Sequence, residues 1–382
     1  MKWRGRNTET GCAVEKTAHN GIIAEISEVE EAEGMAWISP GWIDLQVNGF
    51  AGFDFNDASV TSDDVLAVSK VLHSKGITAY LPTVVTGDHD RIIRSIKVIA
   101  SVKRSDSSVR ESIYGIHLEG PYISAEDGPR GAHSKQHVRK PDWEEFLRFQ
   151  DAADGLIRMV TIAPETEGAI SFIEKSVKHD IIVCIGHTMA SDEQLNSAVD
   201  AGATISTHLG NGSHTILPRH PNYIWSQLAE DRLWATFIPD GHHLQPAVIK
   251  AMVRAKRDKA ILVSDCVKFG GMPPGRYKSL IGDEVELRED GRLSTAANPD
   301  ILAGSAYSLD RGITGAIRYT DMDLREAIEA VTVRPSRALG ASSLGRLEVG
   351  CPAHLTLFDY DEQTYAISVR ETVVAGCSVY AR

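Results

Sequence analysis

Six of the chain's 14 histidines, His187, His208, His214, His220, His242 and His243, are crowded into one stretch of the 382 residues. Imidazole binds divalent metals and moves protons near neutral pH, so such crowding points to hydrolytic metal chemistry. Ionisable residues also stand where short apolar runs stop, in His117-Leu118-Glu119, Gly186-His187, Thr207-His208 and Ser264-Asp265. Glu119, His187 and His208 supply one carboxylate and two imidazoles, the donor set of a catalytic zinc site with an open fourth position. A metal held in this way brings the pKa of bound water towards ~7. Asp265 is then placed to take the water proton and pass it to a leaving group. The competing structural reading pairs Glu119 with an arginine and makes Asp265 a helix cap. Several ionisable strand ends arising together favour the metal site.

Other candidates stay open at this level. His133 follows a Gly/Pro-rich loop and either polarises a carbonyl oxygen over the site or is a solvated loop histidine. Arg219, before His220-Pro221, either forks onto a phosphate or carboxylate or is a surface arginine. His117 shares a strand face with Glu119 and reads as core. His73, His89, His179 and His354 read as structural.

Positioning these groups requires strands that end at one rim. Near-continuous apolar runs recur at 43–47, 77–82, 112–118, 157–162, 181–186, 204–208, 234–238 and 260–264, the pattern of parallel strands buried on both faces. Helical stretches lie between them. Thr61 with Asp64, and Ser191 with Gln194, mark capping boxes opening helices over 61–74 and 191–201. Eight strands alternating with helices predict a (β/α)8 TIM-like barrel, with active-site residues at the carboxyl ends of the strands. A doubly wound open sheet is the alternative, but no G-x-G-x-x-G follows a strand. The ends read differently. Residues 1–39 and 345–382 are short, strand-like and turn-rich, and are expected to form a small β-sandwich from both termini, flanking a barrel over 40–344. Residues 275–300 read as a β-hairpin excursion turning at Asp290-Gly291.

Composition narrows the class. Lys and Arg number 40 against 52 Asp and Glu, a net charge of −12 that counts against nucleic-acid binding. No run is apolar enough to span a bilayer, and MKWRGRNTETG carries no signal-peptide core, so no membrane partner and a cytoplasmic location are expected. The five cysteines are scattered and give neither a disulfide framework nor a CxxC pair.

The motifs, taken together, resemble the N-acetylglucosamine-6-phosphate deacetylases of the amidohydrolase superfamily. They run in order as Pro40-Gly41-Trp42-Ile43-Asp44-Leu45-Gln46-Val47-Asn48-Gly49, His117-Leu118-Glu119-Gly120-Pro121, Gly131-Ala132-His133, Ala163-Pro164-Glu165, Gly186-His187-Thr188, Thr207-His208-Leu209, Asp240-Gly241-His242-His243, Ser264-Asp265 and Ala303-Gly304-Ser305-Ala306, closing with Gly345-Arg346-Leu347-Glu348-Val349-Gly350. The resemblance implies that Glu119, His187 and His208 bind the metal and that Asp265 is general base and acid. It implies that His133 contacts the substrate carbonyl, while Asn211, Gly212, Arg219 and His243 hold sugar and phosphate. Gln46 and Asn48 stand where many superfamily members carry His-x-His, which implies one divalent metal per subunit. Zinc leads, and iron, manganese or cobalt are compatible. A homodimer or homotetramer is also implied. Where the family usually reads His-Leu-x-Asn-Ala-Met this chain has His208-Leu209-Gly210-Asn211-Gly212-Ser213-His214, and the stretch 217–225 departs as well, with extra aromatics and histidines. A different N-acetyl amino sugar, phosphorylated or not, or another amide substrate is the alternative. A catalytically silent barrel kept for binding is a third reading, supported only by the missing His-x-His.

Overall fold

The computed structural model describes residues 1–279 and 284–382. Eight parallel strands run in sequence order around the molecule. They are β1 (Trp42–Val47), β2 (Ile77–Val85), β3 (Ile116–Glu119), β4 (Ile157–Ile162), β5 (Ile182–Ile185), β6 (Ile205–Ser206), β7 (Trp234–Phe237) and β8 (Ala260–Leu262). Each is followed by a helix: α1 (Ser62–Ser74), α2 (His89–Ser105), α3 (Trp143–Ala152), α4 (Ala169–Lys178), α5 (Asp192–Asp200), α6 (Tyr223–Ala229), α7 (Pro246–Lys256) and α8 (Leu309–Tyr319). The barrel closes through irregular backbone beyond β8. There the Asp265 N–H donates to the Gln46 carbonyl (3.0 Å) and the Asn48 N–H to that of Cys266 (2.9 Å). This is the (β/α)8 barrel read from the apolar runs.

The capping boxes of α1 and α5 form as expected, with Thr61 paired to Asp64 and Ser191 to Gln194. Strand ends differ in instructive ways. Regular pairing of β3 begins only at Ile116; before it, Ile113 makes one isolated parallel bridge to Tyr80 of β2, with Ser112 and Ile113 leaving a turn at Val109. β2 continues past Pro82, which is tolerated because its register with β1 slips between Asp44 and Val47. Ile43, Leu45, Leu81, Met159, Cys184, Ile205, Ile261 and Val263 form one buried cluster contributed by the strands.

Both chain ends share one seven-stranded sheet, in the order Cys377–Ala381, Ile367–Val374, Leu355–Tyr360, Trp37–Pro40, Lys2–Asn7, Ala13–His19, Ile22–Glu28. Its apolar side buries Trp3, Ile23, Ile38, Leu355 and Val373. It abuts the amino-terminal rim of the barrel. There Thr356 Oγ1 donates to the Gly76 carbonyl and Thr372 Oγ1 to that of His73, both at 2.7 Å. Trp42, at the start of β1, meets Phe358 edge-on. The excursion after β8 is an antiparallel sheet of Gly275–Lys278, Glu284–Leu287 and Leu293–Thr295. Residues 280–283 of that expected hairpin lie outside the described residues. Its turn docks on the barrel's other rim, where the Asp290 carbonyl accepts from His242 Nε2 (3.0 Å) and the Tyr307 hydroxyl (2.5 Å). Among the described residues no helix is long and apolar enough to cross a membrane.

Candidate active site

Three candidate residues share an unusual backbone conformation. His187, His208 and Asp265, just beyond β5, β6 and β8, have φ of 51°, 29° and 47°. Non-glycine residues seldom occupy this left-handed region, and such conformations gather at functional sites. Here it ends each strand and re-aims the side chain within the rim.

The side chains converge. Glu119 Oε1 lies 3.1 Å from His187 Nε2 and 2.9 Å from His208 Nε2, and all three residues are buried. Burial alone would raise the Glu119 pKa. The hydrogen bonds from His187 and His208 outweigh it and hold the carboxyl well below its usual range. Burial likewise opposes a charged His208, but its bond to Glu119 raises its pKa overall. His187 Nδ1 sits 2.8 Å from the Pro129 carbonyl, which can only accept. Nδ1 therefore carries a proton, and a cation at the centre would take the place of the proton through which Nε2 bonds Glu119. That suits a divalent cation, and so does the mixed carboxylate and imidazole donor set. The buried Nδ1 of His208 has no partner among the described residues. Glu119, His133 and His187 also offer ligand atoms that all lie within 4.8 Å of one another, so His133 borders the same centre.

Asp265 faces this centre. Its Oδ1 accepts from Gln46 Nε2 (3.0 Å) and Asn48 Nδ2 (2.8 Å). Burial first, then the negative charge of Glu119, pushes its pKa up to about 6. The two amides that replace His-x-His on β1 are thus donors to Asp265, a role the sequence reading gave neither. Their spacing of two residues at a strand end was the available signal. Beneath the centre, His117 is enclosed, with Nδ1 at the Leu45 carbonyl (3.2 Å) and Nε2 at Thr161 Oγ1 (2.8 Å). This matches its reading as core.

His133 lies over the His187 ring, centroids 4.3 Å apart, with Nδ1 2.8 Å from Thr86 Oγ1. Burial pushes its pKa down to about 3, so it is neutral. His243 Nδ1 pairs with Asp240 Oδ2 at 2.6 Å, and this pair is nearly buried. Asp240 was not singled out from sequence, although it stands three residues before the histidine it orients. Asn211 Nδ2 donates to the His208 carbonyl (3.2 Å). Gly212 has φ 56°, and a Cβ there would come 2.6 Å from His187 Nδ1, so only glycine lets the loop close on that ring. Arg219 is exposed on the loop that follows and is not gathered into the centre. His214 bonds the Tyr223 hydroxyl (3.0 Å), and His220 is exposed.

The sequence profile of the amidohydrolase family matches residues 37–379. A curated relative from Danio rerio, named N-acetylglucosamine-6-phosphate deacetylase, is 33% identical over 358 residues, covering 90% of this chain and 85% of that protein. An Escherichia coli O157:H7 relative, named N-acetylgalactosamine-6-phosphate deacetylase, is 31% identical, covering 89% of each chain. Among solved structures, a mutant N-acetyl-D-glucosamine-6-phosphate deacetylase from Mycobacterium smegmatis, in complex with N-acetyl-D-glucosamine-6-phosphate, superposes with a TM-score of 0.87. It is 27% identical, with 100% of this chain and 99% of that one covered.

Proposed function

The chain belongs to the amidohydrolase family, and from that premise we propose that it hydrolyses the acetamide of N-acetylglucosamine 6-phosphate, giving glucosamine 6-phosphate and acetate. The observation that carries this reading is the meeting of His187 and His208 on one oxygen of Glu119, with Asp265 held beside them by two amides. Glu119, His187 and His208 would hold one divalent cation per chain, with zinc first by donor type and iron, manganese or cobalt compatible. When bound, the cation supplies Lewis acidity to the acetyl carbonyl and makes water more acidic.

The chain's own groups do the rest. Asp265 accepts the proton of the water that attacks the acetyl carbon. It then delivers that proton to the nitrogen as the carbon–nitrogen bond breaks, because an amide anion is too poor a leaving group to depart unprotonated. Water's oxygen leaves in acetate. His133 donates a hydrogen bond to the carbonyl oxygen as that oxygen gains negative charge. Asn211, Gly212, Arg219 and His243 hold the sugar and its phosphate.

A second copy of the chain is part of this reading. Ile216 is 88% exposed and Trp225 58% exposed, on the same segment as Arg219, and a homodimer would cover them. A cytoplasmic location suits five cysteines that are all free. The Escherichia coli relative favours a second reading on the galactosamine epimer. Acetate release from the 6-phosphates of both N-acetylhexosamines, and from the unphosphorylated sugars, tests these readings together. Fastest turnover of N-acetylglucosamine 6-phosphate is expected. Release only from the galactosamine epimer, or only from unphosphorylated sugars, would replace the first reading.

A further inference from the structure

Two donor sets compete at the centre. Glu119 and His187 can be completed by His208 or by His133, whose ligand atom also lies within 4.8 Å of theirs. The choice turns on which ring nitrogen of His133 carries the proton. A protonated nitrogen has no lone pair to give a cation and is a hydrogen-bond donor instead.

We propose that Thr86 is a positioning residue that donates its hydroxyl proton to His133 Nδ1 and so keeps the His133 proton on Nε2. The inference rests on the cation and carbonyl roles assigned above. Thr86 is buried, and among the described residues its hydroxyl has one hydrogen-bond partner, His133 Nδ1 at 2.8 Å. If the imidazole donated, the threonine proton would be left in a buried place with no acceptor. Stranded donors are rarer in proteins than under-used oxygen lone pairs. The hydroxyl therefore donates, Nδ1 accepts, and the ring proton sits on Nε2.

His187 is arranged the opposite way. A carbonyl that can only accept, that of Pro129, fixes a proton on Nδ1, so with a cation bound in place of the proton shared with Glu119 the lone pair is on Nε2. Two imidazoles whose centroids are 4.3 Å apart are thus set as opposite tautomers by partners of opposite polarity. One is fitted to hold a cation and the other to donate to an oxygen. This leaves His208 as the second imidazole ligand.

The hydroxyl occupies a prepared place. The Thr86 N–H donates to the Glu119 carbonyl at 3.1 Å, tying the end of β2 to the residue that anchors the centre. Gly120 follows with φ 81°, and a Cβ there would come 2.2 Å from Thr86 Oγ1. Glycine at 120 leaves the hydroxyl room to reach His133.

The test is ¹⁵N NMR of the zinc-loaded, histidine-labelled full chain, with the His133 signals identified by their loss in His133→Asn. The expected pattern is a protonated Nε2 and an unprotonated Nδ1. It should be kept in Thr86→Ser and lost or mixed in Thr86→Val. Zinc content should stay at one per chain in all three variants, because His133 is not a ligand. Thr86→Val should lower kcat roughly 10–100-fold, as for lost orienting partners generally, with little change in KM, and Thr86→Ser should restore most of it. A His133 proton on Nδ1 in the native chain, zinc loss in His133→Asn, or a valine variant with the native tautomer would each overturn the proposal. None of the spectra needs a substrate. The native pattern without acetate release would sink the functional reading alone, and acetate release with the wrong tautomer would sink this one alone.

Discussion

Asp265 is a half-buried carboxylate that accepts from two amide donors, and among the described residues no cationic side chain is bonded to it. That arrangement lets it alternate between proton acceptor and proton donor. Asp265→Asn preserves size but can do neither, so kcat should fall by about 10²–10⁴-fold while bound metal, measured by elemental analysis, is unchanged. A near-native rate would remove Asp265 from its role. The pH dependence has a definite sign. Below its pKa Asp265 is protonated and cannot take the water proton, so kcat should fall on the acid side. With Glu119 unneutralised the pKa is about 6, and a cation on Glu119, His187 and His208 draws it lower. Asn48→Leu removes a hydrogen bond to the charged form, which raises the pKa. The acid limb of the rate profile should therefore move to higher pH in that variant. An unmoved limb would mean that another group sets it.

At the scale of elements, the strands were legible because parallel strands buried on both faces read as short apolar runs, and the helices because capping boxes announce their starts. Where the strands stop was less legible. His187, His208 and Asp265 take left-handed backbone, and no residue type declares this in advance when it is not glycine. The two-residue spacing of Gln46 and Asn48 put both amides on one face, but that they hold Asp265, or that Thr86 meets His133, is decided by contacts between segments far apart in the chain. Gly212 is the loop residue most constrained by the site. Gly212→Ala forces a Cβ against the His187 ring at positive φ. It should cost at least about 1 kcal/mol of stability and weaken metal binding in a zinc titration, whereas unchanged affinity would show that the ring tolerates displacement. In the terminal sheet, Lys16 is almost fully buried with one hydrogen bond, to the Leu347 carbonyl. Burial lowers its pKa to about 8, below the ~10.4 of an unfolded chain. Between those values the unfolded chain binds more protons, so stability rises with pH there, and below about 8 the full penalty is present. Lys16→Met should therefore raise the melting temperature at pH 7, by about 1–2 kcal/mol in stability, with the gain shrinking towards pH 10. A lower melting temperature at pH 7 would show that the Leu347 bond outweighs the desolvation.

At the scale of the whole molecule, the division of labour follows the barrel's two rims. The sheet built from both chain ends covers the amino-terminal rim, leaving the carboxyl rim to the chemistry. The six histidines crowded between His187 and His243 divide accordingly. His187 and His208 face Glu119, His243 is held by Asp240, and His214, His220 and His242 belong to the segments that frame the rim. A net charge of −12 repels an anionic sugar phosphate, so a local cation has to hold it. Arg219 is exposed in the single chain, and its role was the least legible because a loop arginine reads the same in a sequence whether it meets solvent or a ligand. Arg219→Ala should raise KM for N-acetylglucosamine 6-phosphate and leave the unphosphorylated sugar unaffected; an equal effect on both would argue against phosphate recognition. Cation-dependent deacetylation is read most directly from acetate release from N-acetylglucosamine 6-phosphate by the purified chain before chelation, after it, and on adding back zinc. Release should vanish with the metal and return as one zinc per chain is restored. Release untouched by chelation, or none with any divalent metal, would rule out cation-dependent deacetylation by this chain.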